Sequence, residues 1–304
     1  MFLRAPRHRG ALLLAALVAF AITMIAIAPA PSQAASSHRI SNRGKHARTH
    51  RARRAPPGGV WARNAIILDP ATGEVLFEKN SDRSVPIASL TKLMTIMVLL
   101  EQKPDLSREV EVTRTELSGA GHTQLRNNEL VTLEDLLHMA LMCSDNVATR
   151  VLARESGLSA DDFLARMNRK AIELGMTHTR FVEFTGLDER NVSTAADVAR
   201  LLHAAADVER IREISTTRSY AFRSTRRLHE VRNTNRLLYS RYEILGGKTG
   251  FISEAGYCLA TWIRTQSRDL IAVVLGAPTN ATRFADVVRL VQHTAQPGLT
   301  DDRE

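Results

Sequence analysis

The sequence predicts an α+β fold: one antiparallel sheet built from strands at both chain ends, with a helical cluster inserted between them. Two observations carry this. Short β-rich runs open and close the folded part, with helical patterns filling the middle. Turn signals of a few residues join the strands at each end, and only antiparallel neighbours can be linked so briefly.

The elements follow in order. "NAIILD" (64–69) and "EVLFEK" (74–79) flank "PATG", a hairpin signal. Residues 89–102 have helical length and are apolar nearly all round, which predicts a central buried helix. Thr132 with Asp135 gives a capping-box-like start to "LEDLLHMALM". Further helices are predicted over 146–156, over 160–174 with Ser159 as cap and Gly175 as stop, and over 195–206 behind Thr194 and Asp197. "YEILGGKTGF" reads as a strand with glycines, and "GYCLATWIR" and "DLIAVVLGA" as strands of a second hairpin across "TQSR". "TRFADVVRLVQHTA" (282–295) closes the chain with amphipathic helical spacing.

The first residues do not read as fold. Arg4, Arg7 and Arg9 precede an uncharged apolar run over 11–28, with small residues at Ser32 and Ala34. This predicts an export signal over 1–34, cut after Ala34. Its 18-residue core is also just long enough to stay as an anchor. Residues 35–58 hold no acid and almost no apolar residue, so a disordered basic tether is predicted there. A single folded domain over 59–297 and a polar tail over 298–304 follow. Of 41 Lys and Arg, ten lie in residues 1–58; the remaining 31 face 32 acids. The folded part is therefore near neutral, which argues against nucleic-acid binding despite a sequence pI near 10.1. A polybasic tether suits loose contact with an anionic membrane or wall polymer, or serves as a spacer. An oxidising compartment would permit a Cys143–Cys258 bond, but their apolar settings favour buried free thiols.

Ser89 and Lys92 stand at i and i+3, on one helix face near its N-terminus. A serine hydroxyl needs a base to become a nucleophile. A lysine among Leu90, Leu93 and Met94 loses hydration, which lowers its pKa and frees its lone pair for that task. Alone, S-x-x-K is a chance pattern in a chain of this length, and its lysine could simply snorkel to the surface. Two more elements change the weighing. "CSDNVA" places Ser144, Asp145 and Asn146 at a helix start, 55 residues after Ser89. "GGKTGF" places Lys248, Thr249 and Gly250 on a strand, 104 residues after Ser144.

S-x-x-K, S-D-N and K-T-G in this order are the signature set of penicillin-recognising serine enzymes. Over about residues 59–296 the chain resembles the low-molecular-weight penicillin-binding proteins, the D-alanyl-D-alanine carboxypeptidase A-like serine peptidases. "MNRKAIELGMTHTRFVEFTGL", "VSTAADVARLL", "RNTNRLL" and "KTGFISEAGYCLA" resemble that family's connecting segments. Phe184 departs from the proline expected before "TGL". The resemblance implies a β-lactamase/transpeptidase-like fold and no cofactor or metal. It implies Ser89 as nucleophile, Lys92 as its base and Ser144 as proton relay between Lys92 and Lys248. Asn146 would hold the substrate backbone, Lys248 and Thr249 a carboxylate, and the backbone N–H groups of Ser89 and Phe251 an oxyanion. Gly250 would let substrate approach the strand edge. The implied partners are peptidoglycan peptide stems, with β-lactams as covalent inhibitors, in the periplasm or cell wall.

Rival readings are weaker. A nucleotide P-loop needs glycine where Tyr242 stands, and no H-E-x-x-H accompanies the ten histidines; His122 and His138 read as solvent or helix-face residues. A class A β-lactamase needs a deacylating glutamate, and Glu183 lacks the leucine-asparagine pair expected after it. A catalytically silent wall-binding module would not need the complete motif set. Among peptidases of the family, the short polar segment after Ala295 resembles endopeptidases more than carboxypeptidases, which carry a second domain and an anchor. Cleavage of D-alanyl cross-links is therefore the expectation, with trimming of stem pentapeptides as the alternative.

Overall fold

The computed structural model describes residues 59–294 and Pro56. The expected signal, the rest of the tether and the tail lie outside the described residues. The described elements run β1 (Asn64–Leu68), β2 (Val75–Lys79), β3 (Val85–Pro86), α1 (Thr91–Glu101), β4 (Glu109–Val112), α2 (Arg114–Leu117), β5 (Glu129–Thr132), α3 (Leu133–His138), α4 (Asn146–Arg154), α5 (Ala160–Glu173), β6 (Val192–Ser193), α6 (Ala195–Asp207), α7 (Glu209–Thr216), β7 (Ser219–Arg223), β8 (Leu228–Arg232), β9 (Glu243–Ile252), β10 (Gly256–Arg264), β11 (Asp269–Ala277) and α8 (Asn280–Thr294).

Five strands form an antiparallel sheet in the order β2-β1-β11-β10-β9, so the two ends of the folded part meet at β1 and β11. Asn64 pairs with Leu275 and Leu68 with Ile271. Both faces of this sheet are covered, which is why its central strands are almost continuously apolar. Ile66, Ile271, Val273 and Leu275 face the helical cluster. The alternate residues Ala65, Ile67, Ala272 and Val274 pack under Phe284, Val287 and Leu290 of α8. β9 is an edge strand of this sheet.

α1 runs through the helical cluster, and nine of its eleven residues are buried. Truncating one of its leucines to alanine would cost about 2–5 kcal/mol. The expected caps are present. Thr132, Ser159 and Thr194 accept from the backbone N–H groups of Asp135, Asp162 and Asp197 at 3.1, 3.1 and 3.0 Å. His138, expected in solvent or on a helix face, lies on α3 and does not face solvent. It is buried and stacks on Tyr220, ring centroids 3.6 Å apart, and burial pushes its pKa down to about 4.

Two expected helices are altered where the motifs sit. The helix predicted from residue 89 begins as a 3-10 turn over Ala88–Leu90 before α1. The helix predicted over 133–142 is α3 followed by a π-helical turn over Met139–Cys143. That wide turn ends at Ser144 in the left-handed region, φ +66°.

Candidate active site

Ser89 sits in the 3-10 turn, directly after Ala88, whose φ of +49° is also left-handed. Strained non-glycine backbone at both Ala88 and Ser144 needs surroundings that over-determine it. The buttress for the first is Gly250 on β9. A Cβ there would lie 3.0 Å from the Ile87 carbonyl and 3.1 Å from the Ser89 nitrogen. The absence of a side chain at Gly250 thus lets the nucleophile turn pack closely against β9. Gly186 closes the other side, since a Cβ on it would collide with the Ala88 carbonyl.

Lys92 is in the first turn of α1 and fully buried. Its Nζ lies 3.1 Å from Ser89 Oγ, 2.7 Å from Asn146 Oδ1 and 2.6 Å from the Thr185 carbonyl. Asn146 Nδ2 donates to the Ala120 carbonyl at 2.8 Å, which turns its oxygen toward Lys92. Burial lowers the Lys92 pKa to about 7, against the opposing pull of Glu183, Asp145 and Cys143; Arg150 adds to the lowering. A neutral amine has two N–H groups and one lone pair. The amide and peptide oxygens can only accept, so they take both N–H groups. In that neutral form the lone pair would face the Ser89 hydroxyl.

Lys248, on β9, is also buried and donates to Ser144 Oγ at 2.8 Å and to the Thr249 carbonyl at 3.0 Å. Burial, then the charge of Lys92, hold its pKa well below the usual lysine range. Among the described residues no hydrogen bond joins Lys92 to Ser144, so the expected relay is not closed in this state. The Thr249 and Thr234 hydroxyls lie 2.6 Å apart, and Thr234 binds the Met142 carbonyl through its N–H and its hydroxyl. This ties the strand to the π-helical turn. Phe251 is exposed at the open edge of β9 and stacks on Tyr257.

Asp145, the middle residue of its motif, has a structural task. It caps α4 by accepting from Ala148 N at 2.9 Å, and it accepts from the Thr123 hydroxyl at 2.7 Å. The two cysteines are free; Cys258 is buried but Cys143 is only half-buried, contrary to expectation. Burial raises these thiols to about 12 for Cys143 and about 11 for Cys258.

Sequence reasoning missed Thr185, because its contribution is a backbone carbonyl. It also missed Arg283, which is buried and donates to the Gly250 carbonyl at 3.0 Å, steadying the strand behind the nucleophile turn. Its place in an amphipathic helix gave no signal of that use.

A profile of the D-alanyl-D-alanine carboxypeptidase family matches residues 50–279. The chain belongs to this family. As a member it is a serine-type D,D-peptidase, a hydrolase. It is 40% identical over 232 residues to a D-alanyl-D-alanine endopeptidase of Pseudomonas aeruginosa, covering 75% of each chain. It is 32% identical to the D-alanyl-D-alanine carboxypeptidase DacF of Bacillus subtilis, covering 76% of this chain and 61% of that one. The crystal structure of penicillin-binding protein D2 from Listeria monocytogenes, in a cefotaxime-bound form, superposes with a TM-score of 0.69 at 30% identity. That match covers 78% of this chain and 98% of the Listeria chain.

Proposed function

We propose that this D,D-peptidase cleaves D-alanyl cross-links in peptidoglycan through an acyl-enzyme on Ser89. The observation that carries the reading is Lys92 Nζ 3.1 Å from Ser89 Oγ, on a fully buried amine whose pKa burial lowers to about 7. Ser89 Oγ attacks the carbonyl of the D-Ala bond as Lys92 takes the hydroxyl proton. The developing oxyanion is met by the backbone N–H groups of Ser89 and Phe251. Collapse expels the amine, which receives a proton through Ser144 once substrate draws Ser144 and Lys92 together. Water then hydrolyses the ester, with Lys92 again removing a proton. Asn146 holds Lys92 and offers its second amide hydrogen to the substrate backbone. Lys248 and Thr249 take the carboxylate beyond the scissile bond, and the open edge of β9 receives the acyl peptide as an added strand.

The endopeptidase choice is supported by the higher identity to the Pseudomonas endopeptidase than to the Bacillus carboxypeptidase. β-Lactams acylate the same serine. Glu183 is bound to backbone N–H groups and is poorly placed to activate water, so the penicilloyl ester persists. In this reading residues 59–297 are the catalytic domain and 298–304 a tail. The apolar run over 11–28 directs export to the periplasm or wall, and the basic segment 35–58 touches membrane or wall polymer loosely.

Digestion of purified muropeptides, read by mass spectrometry, tests the choice of bond. D-Ala–meso-diaminopimelate dimers should fall to monomers faster than pentapeptide is trimmed to tetrapeptide. Fast release of terminal D-Ala with surviving dimers would establish the carboxypeptidase alternative.

A further inference from the structure

We infer that Glu183 is a positioning residue for the general base: its carboxylate folds the turn whose Thr185 carbonyl aims Lys92 at Ser89. The proposal rests on the reading of Lys92 as base.

The carboxylate is used completely within one short turn. Oε2 accepts from the Thr185 N–H and the Thr185 hydroxyl, both at 2.7 Å. Oε1 accepts from the Gly186 N–H and from Asn191 Nδ2, the latter at 2.9 Å. Asn191 is fully buried and grips the same segment through its own oxygen, which accepts from Val182 N at 2.7 Å and Glu183 N at 3.2 Å. Its amide also donates to Thr91 Oγ1 at 3.2 Å, and Thr91 is the first residue of α1. The turn is therefore tied to the helix that carries Lys92.

The products of this folding are two contacts with the machinery. The Thr185 carbonyl takes a hydrogen from Lys92 Nζ at 2.6 Å, the shortest of the three Nζ contacts. Gly186 lies against the Ala88 carbonyl, with no room for a side chain, and so backs the turn bearing Ser89. Without the carboxylate, two backbone N–H groups and a buried hydroxyl lose their acceptor, and neither contact is held.

Glu183 also acts through its charge. The groups around Lys92 are Glu183 on this loop, Asp145 and Arg150 at and on α4, Cys143 on the π-helical turn and Lys248 on β9. Of these, Glu183 gives the largest pull toward the protonated amine. It therefore holds the base near neutrality instead of letting burial depress it further. Its loss should move the pH dependence of acylation toward lower pH, a change that loosened packing alone would not produce.

The test measures second-order acylation by a fluorescent penicillin from pH 5 to 9 for wild type, Glu183→Gln, Glu183→Asp and Lys92→Arg, with folding checked by circular dichroism. Glu183→Gln should lower the plateau by about 10–100-fold, the range expected for a misaimed catalytic group, and shift the acid limb to lower pH. Glu183→Asp keeps the charge but shortens the reach, so the plateau should fall and the limb stay. A wild-type plateau in either variant, or a fallen plateau with an unmoved limb in Glu183→Gln, overturns the proposal. Should Glu183→Gln fail to fold, the plateau of Glu183→Asp decides. Normal acylation by Lys92→Arg would instead overturn the base assignment, so the two failures are distinguishable.

Discussion

Lys248 Nζ donates to Ser144 Oγ across 2.8 Å, and no other side chain accepts from this amine among the described residues. Burial, before the charge of Lys92, holds the pKa of this lysine well below the usual range. Arrival of a substrate carboxylate would raise that pKa, so binding should draw in a proton. Calorimetry of Ser89→Ala with a D-Ala-D-Ala peptide at pH 8, in buffers of different ionisation enthalpy, should register net proton uptake. Lys248→Ala on that background should lose it, and buffer-independent heats would contradict the assignment.

Ser89→Ala should abolish covalent labelling by penicillin and change stability by less than about 0.5 kcal/mol, as for a small change at a half-exposed residue. Gel fluorescence and urea melts check both. Residual labelling would place the nucleophile elsewhere.

Lys92→Arg should slow acylation by about 10²–10⁴, the usual worth of a positioned base, because a guanidinium keeps its proton. Wild-type acylation should rise with pH through about 7, as Lys92 becomes neutral. A flat profile from pH 6 to 8 would refute this.

The same burial predicts how stability follows pH. Between about pH 7 and 9, Lys92 is neutral when folded but protonated when unfolded, where its pKa returns to 10.5. The unfolded chain then binds more protons, so stability rises with pH, at up to about 1.4 kcal/mol per unit for each such lysine. Above about pH 9 the raised thiols of Cys143 and Cys258 oppose this rise, since they ionise first in the unfolded chain. Urea unfolding at pH 7, 8 and 9 should show the rise. A fall over that range would count against neutral buried lysines.

Gly250→Ala should destabilise by about 1–3 kcal/mol, the usual cost of overpacking. It should slow acylation at least tenfold, because the added carbon presses on Ile87 and Ser89. An unchanged acylation rate would show that the turn can shift harmlessly.

The three motifs were readable because their chemistry fixes both residue type and spacing. The meeting of the chain ends was readable from the order of strands and helices. The π-helical turn was hidden because "HMALMC" has the composition of an ordinary helix, and only tertiary ties such as Thr234 to Met142 hold it open. Thr185 was hidden because every residue carries a carbonyl. Glu183 was tested only for the role of another enzyme class, and its turn-folding task depends on Asn191 and on contacts formed in space. Gly250 was read as a place of substrate approach, and its packing against the turn at Ile87–Ser89 was hidden because that turn lies about 160 positions earlier in the chain.

The pairing of β1 with β11 also sets an order of events during synthesis. The serine and its lysine are made early, yet the glycine that backs them is on β9 and the strand that closes the sheet is β11. Until those strands emerge, β1 has a bare edge and the turn at Ser89 has nothing behind it. Contacts this distant in sequence also form slowly. A growing or shortened chain therefore carries the whole serine–lysine pair without the frame that makes it reactive, and hydrolytic power is acquired in the last stage of maturation.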